Sequence, residues 1–192
     1  MRLQIFTFLL FFFLLENSAF PSSIVKTVVS PEPKNYAWWL RTEFIPVDKE
    51  IRGIPVQQLE PSWHLVSELS KDAIPKELVY KGGIDLMKAS RLSFLRSGDF
   101  NRDGAEDLAI IGVYQDKEEI RGSFILILTK GKGGKFQKAF LERLGKPAFA
   151  ALSENDPMEV WYCMDCNYGV SLLWDNVKGE YKIEPFPDEE GN

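Results

Sequence analysis

Between Gly98 and Leu108 the chain sets oxygen-bearing side chains at alternate positions, and apolar runs flank the stretch on both sides. Carboxylates gathered that closely repel one another unless they point apart or share a cation, so the segment tightly limits the backbone that can carry it. With Asp99 as position 1, Asn101 is position 3, Asp103 position 5, Gly104 position 6, the Ala105 carbonyl position 7 and Asp107 position 9. This is the order in which one turn of chain encloses a hard divalent ion, and it predicts a calcium loop. A helix-flanked calcium hand does not fit. Its twelfth position would be Ile110 instead of a bidentate glutamate, and the flanks favour strands. Bound metal should stabilise the loop, with a dissociation constant in the weak extracellular range of about 10⁻⁴ to 10⁻³ M.

The strand signal extends well beyond the loop. Leu92 to Arg96 leads into it, Leu108 to Tyr114 leads out, and Ser123 to Thr129 and Phe136 to Leu141 follow across polar breaks. Phe124 to Leu128 is apolar at every position, which predicts a strand buried on both faces. Gly131-Lys132-Gly133-Gly134-Lys135 lacks the spacing and final hydroxyl of a phosphate loop and reads as a hairpin turn. A second, shorter copy follows. Phe149 to Leu152, Glu159 to Cys163, Gly169 to Trp174 and Tyr181 to Phe186 align in order with the four strands of the first. Its loop, Ser153-Glu154-Asn155-Asp156-Pro157, lacks the D-x-N-x-D-G order, so no second metal is expected.

Upstream, the pattern is more broken. Ala37 to Val47 and Ile54 to Leu59 favour strands around the polar Asp48 to Gly53 segment, which predicts a hairpin. Ser62 before Trp63, Leu65, Val66 and Leu69 offers a capping hydroxyl and helical spacing, so a short helix is expected over 62–70. Pro75 opens a short turn through Tyr80, and Lys81-Gly82-Gly83 breaks the chain. Residues 20–35, with Pro21, Pro31 and Pro33, read as an extended lead-in, with order beginning near Tyr36.

Arg2 followed by the apolar run Ile5 to Leu15 has the form of a signal peptide. Eleven helical residues rise roughly 16 Å, about half the thickness of a bilayer core. Cleavage is expected after Ala19, with an uncleaved anchor as the alternative. Removing residues 1–19 takes away Arg2 and Glu16 together, so the net charge stays at −5. That balance, without a clustered basic face, argues against a nucleic-acid partner. A hydrophobic fraction of 45% is enough for a core.

The run from Gly98 to Ala109, with the hairpins after it, resembles the FG-GAP or VCBS type of repeat found in integrin-like β-propellers and in many exported bacterial proteins. The resemblance covers roughly Ser93 to Leu141, about a quarter of the chain. It implies structural calcium that clips one strand to the next, held by the side chains of Asp99, Asn101, Asp103 and Asp107 and the carbonyl of Ala105. One intact and one degenerate copy fall short of the 4 to 8 blades of a closed propeller. The expected fold is therefore mainly β. An N-terminal hairpin with short helices (36–90) precedes two antiparallel blade-like units (91–145 and 146–187), which do not make a complete propeller.

Cys163 and Cys166 are the only cysteines and, in an exported chain, are expected to form a disulfide. No helix follows Cys163 and no βαβ pattern surrounds it, which argues against thioredoxin-like redox work. His64 is the only histidine, too few for zinc, and neither G-x-S-x-G nor H-E-x-x-H occurs. Trp38, Trp39 and Trp63 read as core residues first and as sugar-stacking residues second. The functional expectation is a secreted or periplasmic, non-catalytic binding module for a protein or glycan. The alternative is an envelope or extracellular hydrolase whose carboxylates the sequence does not single out.

Overall fold

The computed structural model describes residues 25–30, 37–74, 87–131, 133–164 and 167–186. The expected signal peptide, the turn from Pro75 to Tyr80, the break at Gly82-Gly83, and Cys166 lie outside the described residues. The fold is mainly β and contains no closed barrel among the described residues.

The N-terminal region departs most from the sequence reading. Order begins earlier than Tyr36: β1 (Lys26–Val29) pairs antiparallel with β2 (Thr42–Ile45), Lys26 opposite Ile45 and Val29 opposite Thr42. Between them α1 (Trp38–Arg41) is one helical turn where a strand is expected, closed by the Thr42 hydroxyl donating to the Trp38 carbonyl at 2.7 Å. Trp38 and Trp39 are both buried, and adjacent residues on a strand point to opposite faces, so a helical turn is what aims both at one core. The expected hairpin of residues 37–47 with 54–59 does not form, because β2 takes β1 as its partner; a smaller hairpin lies at the expected turn. β3 (Glu50–Ile51) and β4 (Ile54–Pro55) flank Arg52-Gly53, whose φ values of 51° and 77° suit a tight two-residue turn. The expected second strand is instead α2 (Val56–Leu59), which buries Val56 and Leu59 three positions apart on one face.

The segment expected to be a helix from Ser62 is β5 (Trp63–Glu68). It pairs antiparallel with the far half of β7 (Asp107–Asp116), and a bulge between Trp63 and Leu65 shifts its register. The extra residue puts Trp63 and Val66, three positions apart, on the same face of a strand, which is the spacing that imitates a helix.

Downstream, each predicted strand is present. β6 (Leu95–Gly98), β7, β8 (Arg121–Lys130) and β9 (Phe136–Gly145) form an antiparallel meander, with β5 sharing the β7 edge that β6 occupies. β10 (Ala151–Leu152), β11 (Met158–Trp161), β12 (Gly169–Asp175) and β13 (Glu180–Pro185) repeat that order in a second four-stranded sheet. The two sheets meet where Ser93 and Leu152 exchange backbone bonds of 2.9 and 2.7 Å.

Every side chain from Phe124 to Leu128 is fully buried, as the uninterrupted apolar run predicts. Ile125 and Ile127, with Ala109, Ile111 and Val113 of β7, pack toward Phe149, Leu152 and Val160 of the second unit. Phe124, Leu126 and Leu128 face the other way, into Val56, Leu59, Trp63 and Val66. Trp63 lies flat on Tyr114, centroids 4.2 Å apart and planes 6° from parallel. Gly112, opposite Phe124, leaves room for that ring: a Cβ there would come within 2.3 Å of Phe124 Cζ and 2.7 Å of the Ser67 carbonyl oxygen. Gly112→Ala is expected to lower stability by about 1–3 kcal/mol, read as a reduced urea midpoint at an unchanged m-value.

Candidate metal loop and the adjoining cleft

Gly98 and Asp107 are paired across the ends of β6 and β7, so residues 99–106 form a closed excursion between two fixed strand ends. Inside it, backbone N–H groups point at the side chains that the sequence singles out. Asp99 accepts from the N–H of Asp103 through one oxygen and from that of Gly104 through the other, both at 3.0 Å. Asn101 Oδ1 also accepts from Asp103 N at 3.0 Å, and Asp103 Oδ1 accepts from Ala105 N at 2.7 Å. Arg102 (φ 60°) and Gly104 (φ 83°) make the left-handed steps that fold the chain over these oxygens. Arg102 takes this conformation at a steric cost that Gly104 avoids.

Asp107 is placed differently. It is completely buried at the head of β7, and its carboxylate accepts from Phe100 N at 3.0 Å, from the Thr129 hydroxyl at 2.5 Å and from the Tyr181 hydroxyl at 3.0 Å. A buried carboxylate needs such donors to hold its charge. Tyr181 belongs to β13, so this bond ties the loop of the first unit to the last strand of the second. The Tyr181 phenol is held well above its usual titration range, first by burial and then by the negative charge of Asp107, with Asp103 and Asp99 adding to it. The three aspartates of the loop therefore act on one hydroxyl. Nothing in the local sequence points to Thr129 or Tyr181 as partners of Asp107, because they lie 22 and 74 residues away.

The donor set suits a hard cation in kind: two carboxylates, a side-chain amide and a carbonyl, all oxygen, on Asp99, Asn101, Asp103 and Ala105. Asp107, with three of roughly four lone-pair sites engaged, has capacity for about one more partner. In the present arrangement no three acidic, histidine or cysteine side chains among the described residues converge as a metal-holding group.

Beside the loop is a cleft of about 420 Å³ between the two units. Asp99, Phe100 and Arg102 of the candidate loop line one side, and residues Glu154 to Pro157 of the second unit line the other. Leu172, Trp174 and Tyr181 also line it. Arg96 crosses between the units: it donates to the Ser153 carbonyl, and its guanidinium lies 6.0 Å from the Phe100 ring centre. Arg102 approaches Asp156 at 3.8 Å, with both side chains largely in solvent.

The other sequence candidates separate clearly. Trp38, Trp39 and Trp63 are buried core residues. His64 is half-buried on β5, with Nδ1 3.4 Å from the Asp116 carbonyl. Gly131 and residues 133–135 lie between β8 and β9, where Gly131 N donates to the Lys135 carbonyl at 2.8 Å. Cys163 is buried just past β11, and its expected partner Cys166 is outside the described residues. No helix among the described residues is long and apolar enough to cross a membrane.

Tyr181→Phe removes one bond to a charged acceptor and is expected to cost about 1.5–3 kcal/mol in chemical denaturation. A phenol whose pKa is raised by folding contributes stability that is complete below its unfolded value of about 10 and is lost as pH rises beyond it. The wild type should therefore lose stability above about pH 10 more steeply than Tyr181→Phe, as measured by unfolding midpoints between neutral and alkaline pH. Compared with known protein families, curated proteins and solved structures, the chain matches none.

Proposed function

We propose that the chain is an exported, non-catalytic calcium-binding β-domain that acts as a binding or interaction module, with the ion in a structural role. The observation that carries the reading is the loop itself. Oxygen donors in the D-x-N-x-D-G order are folded back between two paired strand ends, and Asp107 is fixed by the Tyr181 hydroxyl at 3.0 Å. Calcium would take the side chains of Asp99, Asn101 and Asp103 and the Ala105 carbonyl, with Asp107 adding its remaining lone pair. The ion would supply charge neutralisation and fix the turn. Export follows from Arg2 and the apolar run after it, and a protein or glycan partner suits an acidic chain better than nucleic acid does. In the same compartment, Cys163 and Cys166 would close a small disulfide ring.

Excess calcium at about 10 to 100 times its dissociation constant should stabilise the wild type by about 1.4–2.7 kcal/mol, a rise of several degrees in Tm. Asp103→Ala should abolish that rise. Equal calcium shifts in the two proteins would remove the assignment. For the cross-link, iodoacetamide should label neither cysteine of the unfolded protein before reduction and both after it.

A further inference from the structure

We infer that the cleft between the two units binds a neutral saccharide, which deepens the binding-module reading by naming a ligand class and a place for it. At about 420 Å³ the cleft is within the usual size range of small-ligand sites, roughly 300–1,000 Å³, and it lies between two packed units where such sites concentrate. Its lining is mixed. Trp174 and Phe100, both half-buried, are among its lining residues. Around them Glu154 and Asn176 line the cleft as exposed side chains without a hydrogen bond or ion pair among the described residues.

A pyranose has an apolar C–H face and a rim of hydroxyls that both donate and accept. Aromatic faces cover the first, while carboxylate, amide and guanidinium groups pair with the second. The charge pattern decides against an anion. With Asp99 given to the ion, Glu154 and Asp156 face Arg96 and Arg102; Arg96 donates to the Ser153 carbonyl and Arg102 lies 3.8 Å from Asp156, which leaves Glu154 as the carboxylate without a cation. A phosphate or uronate would meet that carboxylate. A folded protein partner needs about 800 Å² on each side, far more surface than this small concavity presents.

The test is titration calorimetry on the full chain with neutral oligosaccharides of glucose, mannose, galactose and N-acetylglucosamine, and with an oligouronate, each in calcium and in chelator. At least one neutral sugar should bind with a dissociation constant below about 1 mM. Trp174→Ala should weaken it at least about tenfold, and the surface changes Glu154→Gln and Asn176→Ala each by about threefold, with unfolding midpoints of the last two unchanged. No binding by any neutral sugar would overturn the assignment, as would undiminished binding by all three variants or tighter binding of the oligouronate. Sugar binding that persists in a protein without a calcium-induced Tm shift would remove the ion and leave the site. A calcium shift with no sugar bound would do the reverse.

Discussion

The structure depends on a pair of strands that have no wet face. β7 and β8 pair continuously from Asp107 opposite Thr129 to Gln115 opposite Arg121, and the side chains between alternate into two separate cores. A strand in that position must be covered twice. The second unit supplies one cover and the N-terminal segment from Ile51 to Val66 the other, so both flanking regions are fixed by the same ten-residue ribbon. At about 25 cal/mol per Å², burial on this scale is the dominant favourable contribution to the fold.

The candidate loop inherits its rigidity from that ribbon. Asp107 is at once the first residue of β7 and the anchor of the loop, so its carboxylate is carried below the surface with the strand. The Phe100 amide and the Thr129 and Tyr181 hydroxyls replace the lost water, each from a different segment of the chain. Removing one donor leaves a buried charge with less compensation, which is costly at low effective dielectric. The bond to Tyr181 also couples the units: a change in the candidate loop reaches β13 through the Asp107–Tyr181 hydrogen bond and reaches the cleft through Asp99 and Phe100, which line it.

The contrast between the two halves of the chain follows from where each strand finds its partner. From Leu92 onward, partners are neighbours in sequence and turns are short, so the eight strands of both units are legible in the pattern, with shifted bounds at β6, β9 and β10. Before that point, apart from β3 and β4, partners are distant. Trp63 and Val66 have helical spacing, and only the edge of β7 left open beyond β6 turns their segment into a bulged strand. Lys26–Val29 gives little apolar signal, yet the unpaired edge of β2 recruits it. The site divides in the same way. Asp99, Asn101 and Asp103 are legible because a loop's ligands are local, whereas the Asp107–Thr129–Tyr181 cluster and the cleft are assembled from segments with no common motif.

The amino-acid sequence by itself determined the mainly β class, the doubly buried strand over Phe124 to Leu128, the repeat of four strands and the oxygen-rich loop. Each of these is written in short-range periodicity and spacing. Tertiary structure alone decided that Trp63–Glu68 is a strand, that Asp107 turns inward to Tyr181, and that the two loops face each other across a cleft. The physical reason is that these features depend on satisfying backbone groups and charges with partners tens of residues away, and local propensity carries no record of which partner will be in reach.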